Sequence, residues 1–224
     1  MGYFPLFINL SGRDVLVAGG GKVAERKARI LREFDAAIRL VSPEATQGLT
    51  ELAGSGAIRF LRREYRTEDI DTAAIVVAAT GDRTVNRQIH DDAVCKGIPV
   101  NVADDPELCT FFFPAIVRRD DFVVGITTSG SYPALSRYAR EKIETLFPDQ
   151  YGVITDILKE YREKIRNEIH SPAERAAILE KLMDTAAQAA QNAKTLDRRI
   201  LIEQLDKARE EWARRVPTQG GERL

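Results

Sequence analysis

Apolar positions in the first hundred residues fall into short blocks of two alternating kinds. Asp14 to Ala18, Ile38 to Val41, Ile58 to Leu61, Ile75 to Ala79 and Val100 to Val102 are brief, nearly continuous apolar runs. That is the pattern of parallel strands covered on both faces. Between them, Val23 to Phe34, Gln47 to Ala53 and Thr84 to Lys96 read as helices, with Ser42-Pro43 stopping the second strand and Gly97 the third helix. Strands alternating with helices predict right-handed crossovers and a doubly wound parallel α/β sheet. Its ligand crevice lies beyond the carboxyl ends of the strands. Three polar segments occupy that edge: Gly19 to Lys22, Thr80-Gly81-Asp82 and Ala103-Asp104-Asp105.

After Pro106 the pattern changes. Phe111 to Val117 and Phe122 to Thr127 are β-rich runs, joined by Arg118-Arg119-Asp120-Asp121 as a hairpin turn. A hydroxyl-rich loop, Thr127 to Ser131, leads into a helix from Pro133 to Leu146, ended by Pro148. From Tyr151 onward the chain reads as amphipathic helices with solvated charged faces, one of them starting at the capping signal Ser171-Pro172-Ala173-Glu174. Residues after Pro217 read as a frayed tail. The expected organisation is a nucleotide-binding α/β domain over 1–113, a central α+β region over 114–148 and a helical domain over 149–224.

Charge and composition narrow the function. The 33 Lys and Arg residues nearly cancel the 34 Asp and Glu residues, which argues against nucleic-acid binding by global charge. No apolar stretch approaches the roughly 20 residues that span a bilayer, and the N-terminus lacks the pattern of a signal peptide. The two cysteines, Cys95 and Cys109, form neither a C-x-x-C pair nor a disulfide framework, so reduced thiols and a cytoplasmic protein are expected. Cys95 reads as packing. His90 reads as a helix surface residue and His170 as a helix-end residue; neither has the neighbours of a preformed metal site.

The first strand runs into Gly19-Gly20-Gly21-Lys22-Val23-Ala24, a G-x-G-x-x-A pattern between strand and helix, which points to dinucleotide binding. Gly19 permits the tight turn, Gly21 lets the backbone approach a pyrophosphate, and Ala24 lets the helix pack on the strand. The helix-opening amides then face the phosphates. The acid that usually follows the second strand is replaced by Val41-Ser42-Pro43-Glu44, where Ser42 or Glu44 can meet a ribose hydroxyl. No arginine follows Ser42 closely in sequence to clamp a 2′-phosphate, so NAD is favoured over NADP. Two carboxylates follow the fifth strand. Asp104 is the better placed to take a proton near a bound nicotinamide, and Asp105, directly before Pro106, the better placed to hold a turn.

These residues resemble the precorrin-2 dehydrogenase/sirohydrochlorin ferrochelatase family of siroheme synthesis. The resemblance rests on Tyr3 to Leu10, Gly19 to Lys27, Ala78-Ala79-Thr80, Asn101 to Asp104 and Thr128 to Ala134, in consistent order over about residues 3 to 147. It implies a Rossmann domain, a central dimerisation region, a helical C-terminal domain and a homodimer. The activity it implies is NAD-dependent oxidation of precorrin-2 to sirohydrochlorin, with insertion of Fe2+ to form siroheme in some members. It places catalysis on Asp104 and cofactor contacts on Gly19, Gly20, Gly21, Lys22 and Val23, on Ser42, Pro43 and Glu44, and on Thr80. The loop residues Thr128, Ser129 and Gly130 fall in the same pattern, though Ser129 stands where glycine is common. Precorrin-2 carries eight carboxylates, so cationic donors are expected around it, with Arg118, Arg119, Arg137 and Arg140 available. Iron is expected as substrate, with no resident metal. Two other readings compete: a nucleotide-sensing module without chemistry, and a dehydrogenase for another small substrate.

Overall fold

The computed structural model describes residues 3–192 and 195–215. The tail after Pro217 lies outside them. The chain divides into two compact units, one of residues up to Phe113 with Ser129–Ser131, the other of Pro114–Thr128 with the chain from Tyr132 onward.

The first unit is a five-stranded parallel sheet in the order β3-β2-β1-β4-β5. Its strands are β1 (Asp14–Ala18), β2 (Ala37–Val41), β3 (Arg59–Leu61), β4 (Ile75–Ala78) and β5 (Val100–Val102). Helices α1 (Lys22–Arg32), α2 (Gln47–Gly54) and α3 (Arg83–Cys95) alternate with them. Strand side chains point to opposite faces in turn. Val15, Val17, Ile75 and Val77 therefore pack with Ala24, Ala28 and Leu31 of α1, while Leu16, Ala18, Val76 and Ala78 pack with Ile89 and Ala93 of α3. This double burial is why the central strands read as unbroken apolar runs. The one charged residue within β2, Arg39, is held by Asp14, by the Asp69 carbonyl at 2.7 Å and by Thr72.

In the second unit β6 (Ala115–Arg119) and β7 (Phe122–Ile126) form an antiparallel hairpin, with α4 (Pro133–Leu146) packed on it. Its turn is tighter than expected, two residues with Asp120 at φ +52°. The first strand also begins later, at Ala115 rather than Phe111. Phe111 and Phe113 instead pack on the core of the first unit, and Phe112 meets Tyr3 edge to face at 4.8 Å. Helices α5 (Gln150–Glu168), α6 (Pro172–Asn192) and α7 (Arg198–Arg215) share a core of Ile154, Ile157, Ile165, Leu182, Leu201 and Leu205. The Tyr161 hydroxyl donates to Asp206 at 2.6 Å within this bundle. Among the described residues no helix is long and apolar enough to cross a membrane.

Candidate functional site

The carboxyl edge of the sheet brings together the loops after β1, β2, β4 and β5, and backbone hydrogen bonds lock them to one another. The Gly19 amide donates to Val41 O, Thr46 N to Gly20 O, Ala79 N to Ala18 O and Ala103 N to Ala78 O, all at 2.8–2.9 Å. Gly19, Gly20, Gly21, Ser42, Pro43, Glu44, Thr80 and Asp104 thus lie along one edge.

Glycine is needed here at two positions. Gly19 has φ +111°, and a Cβ on it would collide with the Ala79 carbonyl. A Cβ on Gly20 would collide with the Glu44 carbonyl, where the glycine loop crosses the turn after β2. The motif leaves Gly20 unconstrained, and the structure makes it a packing requirement. Gly21 has open space beside it and is the N-cap of α1, with no side chain capping the helix. The amides of Lys22, Val23 and Ala24 have no acceptor four residues back in the helix. Open space and unpaired amides together make a cradle that suits a dinucleotide pyrophosphate. Glu25 braces it, accepting from the Thr46 hydroxyl at 2.6 Å and from Arg29; both bonds hold its carboxyl below the usual range.

Ser42 is buried after β2, while Pro43 and Glu44 are exposed. Strand pairing sets Leu61 beside Val41, and Ser42 N donates to Leu61 O. Two arginines distant in sequence therefore follow β3 next to Ser42. Arg63 is engaged with Asp69, whereas Arg62 is exposed and sits 5.4 Å from the Phe60 ring. No arginine follows Ser42 closely along the chain, but strand pairing brings the Arg62 backbone beside it across the sheet.

Thr80 is fixed by Asn86 of α3. Its amide and hydroxyl donate to the Asn86 side-chain oxygen at 3.1 and 2.8 Å, and the Asn86 amide returns a bond to Thr80 O. Asp82 caps α3 through Thr84 N at 2.7 Å. Asn86 carried no distinguishing signal in the sequence beyond being a polar residue on the inner face of a helix.

Asp104 is exposed and takes φ +60°, a left-handed conformation that Asp and Asn tolerate. Among the described residues it makes no hydrogen bond or ion pair. Asp105 opens a 3-10 turn (Pro106–Leu108) through its carbonyl, which accepts from Leu108 N, and its side chain caps nothing. Both aspartates therefore shape the turn, each through its backbone. His90 is part-buried rather than fully exposed, and its Nδ1 lies 2.8 Å from Leu108 O, tying α3 to this turn. Cys95 is exposed rather than packed. The Cys109 thiol contacts Val102 O and Asp105 O at 3.3 Å, and burial pushes its pKa up.

Lys27 of α1 is buried, and its Nζ donates to Asn101 Oδ1 at 2.7 Å and stands 4.0 Å from the Phe113 ring centroid. Burial, and after it the neighbouring Arg26, lower its pKa to about 8, while Cys109 and Asp104 pull the other way. Asn101 Nδ2 is in turn held by Phe111 O at 3.0 Å.

The remaining candidates divide between the two units. Ser129 (φ +54°) and Gly130 (φ +79°) go with the first, and the Gly130 backbone passes close to Phe112. Thr128 and Arg137 belong to the second. Thr128 Oγ1 accepts from Tyr132 N at 3.2 Å, and Arg137 is exposed on α4. Arg119 is committed to Phe147 O and Asp149, and Arg140 to Glu144. Arg118 also binds locally, to Asp120 O. A cleft of about 470 Å³ lined by Asp14, Arg39 and Arg59 opens at the other edge of the sheet, where the strands begin.

Residues 6–115 match a family model described as "Putative NAD(P)-binding". Siroheme synthase of Stutzerimonas stutzeri (strain A1501) is 38% identical over 207 residues, 92% of this chain and 44% of that protein. Siroheme synthase of Ectopseudomonas mendocina (strain ymp) is 45% identical over 166 residues, 74% of this chain and 36% of that protein. The chain thus spans less than half the length of these relatives. The solved structure of SirC, a precorrin-2 dehydrogenase, superposes with a TM-score of 0.69 at 25% identity, covering 92% of this chain and all of that one.

Proposed function

We propose that this chain, which belongs to the precorrin-2 dehydrogenase/siroheme synthase N-terminal family, oxidises precorrin-2 to sirohydrochlorin with NAD. The observation that carries the proposal is one sheet edge holding both an open glycine cradle at the start of α1 and an unpaired carboxylate, Asp104, after β5. A dinucleotide needs the first, and removal of a proton alongside a hydride needs the second.

NAD, when bound, supplies the oxidised nicotinamide that accepts the hydride. In this reading Gly19, Gly20 and Gly21 let the chain approach the pyrophosphate, and the amides of Lys22 and Val23 bind it. Ser42, Pro43 and Glu44 form the ribose turn, and Thr80, fixed by Asn86, walls the crevice. Asp104 takes the proton released as the tetrapyrrole aromatises. Ser129 and Gly130, in the same unit as Asp104, serve as donors to the carboxylates of precorrin-2. Fe2+ is a further substrate, inserted into sirohydrochlorin as pyrrole protons leave.

The working unit is a homodimer. The apolar run from Phe111 to Val117 is not what supports pairing, because Phe111 and Phe113 pack on the first unit and Val117 is buried in the second. A different feature supports pairing. Leu135, Tyr138 and Leu146 are each more than half exposed and repeat at helical spacing along α4, beside a hairpin with two unpaired edges. Free cysteines at positions 95 and 109 suit the cytoplasm.

The test is an anaerobic assay with precorrin-2 and NAD, run in parallel with NADP because Arg62 is exposed beside the ribose turn, followed by addition of Fe2+. Sirohydrochlorin and reduced cofactor in equal amounts are expected, then siroheme. Cofactor binding without turnover would favour the nucleotide-sensing reading.

A further inference from the structure

We propose that Lys27 is a positioning residue of this reaction, the buried cation that draws and holds the Asp104 carboxylate, so that turnover requires its protonated form. The inference rests on the dehydrogenase reading and extends it to a residue outside the glycine motif.

The geometry is specific. Lys27 leaves α1 on its buried side and reaches across the sheet to Asn101, the central residue of β5, three residues before Asp104. Asn101 is spent on both sides, its oxygen on Lys27 and its amide on Phe111 O and Cys109 Sγ. The Phe113 ring lies against the ammonium, a contact favouring the charged form. A buried lysine in a structural role is ordinarily neutralised by a carboxylate in direct contact. Here the acceptor is a neutral amide, and Asp104, exposed and otherwise without a partner, is the carboxylate whose charge reaches it.

The charged and titratable groups around Lys27 are Arg26 on its own helix and Asp104 and Cys109 from the segment after β5. Burial keeps Cys109 a thiol. Lys27 is therefore the group of this cluster that changes charge near pH 8. Below that pH the ammonium attracts the Asp104 carboxylate through space; above it the attraction is lost. A cation out of bulk water is also little screened by salt.

The experiment is a pH profile of turnover from pH 6 to 10 for the wild type, Lys27→Arg and Lys27→Met, with thermal melts of the ligand-free proteins over the same range. Wild-type kcat should fall above an apparent pKa near 8 while the KM for NAD changes little. Lys27→Arg, which stays charged, should lose that alkaline limb. Lys27→Met should lose at least tenfold in kcat at pH 7. The melts read Lys27 without any ligand. Its lowered pKa disfavours the folded state below pH 8, and this penalty is relieved between about 8 and 10.5, so the wild type should gain melting temperature relative to Lys27→Met over that interval. A flat wild-type profile to pH 9.5, or an alkaline limb unchanged in Lys27→Arg, overturns the proposal. Activity rising through pH 8 would make Lys27 the base and overturn it equally. If the wild type fails to oxidise precorrin-2, the dehydrogenase reading falls and the proposal with it. Melts that still differ would then assign Lys27 only a titrating structural role.

Discussion

Replacing Gly21 with Asp should push stability and cofactor binding in opposite directions. Gly21 has φ −83° and ψ −178°, ordinary extended backbone, and a Cβ there meets nothing within 4 Å. The fold therefore accepts the side chain without strain. Gly21 is also the N-cap of an uncapped helix, where an aspartate accepts from the amide of Val23 or Ala24. Aspartate exceeds glycine as an N-cap by a few tenths of a kcal/mol, and its charge at the positive helix end adds about 0.3–1 kcal/mol. Losing glycine's freedom in the unfolded chain works in the same direction. A gain of about 0.5–1 kcal/mol raises the melting temperature of a chain of this size by roughly 1–4 °C.

The same carboxylate occupies the amides that the pyrophosphate needs. One charge-assisted hydrogen bond is worth about 1.5–3 kcal/mol. With a tenfold change in affinity for each 1.4 kcal/mol, NAD binding should weaken by at least about tenfold. Calorimetric titration with NAD and a thermal melt of the ligand-free variant read the two effects. A higher melting temperature with unchanged affinity would move the cofactor away from the start of α1. A lower melting temperature would refute the argument from open space, since lost binding would then report damage.

Other expectations follow from the same edge. Gly20→Ala, next to a motif glycine that tolerates substitution, drives its Cβ into the Glu44 and Ala45 backbone, and a melt should show about 1–3 kcal/mol of destabilisation. Asp104→Asn keeps a residue type suited to φ +60° while removing the basic oxygen, so stopped assays should show turnover down by about a hundredfold or more with NAD affinity retained. Asp105→Asn should leave turnover within about threefold, because the turn is held by the Asp105 carbonyl. Sedimentation at micromolar concentration should report twice the chain mass, and Tyr138→Asp on the exposed α4 stripe should shift it toward monomer.

Elements made of local pattern were legible in the sequence. The strands could be read because two covered faces demand runs such as Val15 to Ala18 and Ile75 to Ala78, and α6 because Ser171 does accept from Glu174 N at its start. What escaped depends on pairing between distant segments. Arg62 stands near Ser42 only because β3 lies beside β2. Lys27 meets Asn101 across 74 residues, and nothing in an amphipathic helix distinguishes a lysine that turns inward from one that turns out. The Phe111–Phe113 run has strand-like composition, yet it serves as an anchor: the Phe111 and Phe113 rings pack on the α1 face of the sheet while the Phe111 carbonyl holds Asn101. Burial of aromatic rings satisfies the same hydrophobic pattern whether or not the backbone pairs.

The construction of the edge explains which residues there can change. Its loops are tied by main-chain bonds, from Gly19 N to Val41 O, Thr46 N to Gly20 O and Ala103 N to Ala78 O, so exposed side chains such as Lys22, Pro43 and Glu44 are not needed to hold its shape. Among the side chains that do hold it are two buried amides, Asn86 beneath Thr80 and Asn101 in β5. A buried amide fully engaged on both its oxygen and its nitrogen has no isostere that keeps both bonds, since aspartate loses the donor and leucine loses everything. Substitution of either amide should thus disturb a loop without touching a ligand. Asn101 carries the additional burden of Lys27, whose charge would otherwise be buried without an acceptor. The path from α1 through Lys27 and Asn101 to the segment before Asp104 therefore gives the cofactor cradle and the candidate base a shared side-chain support.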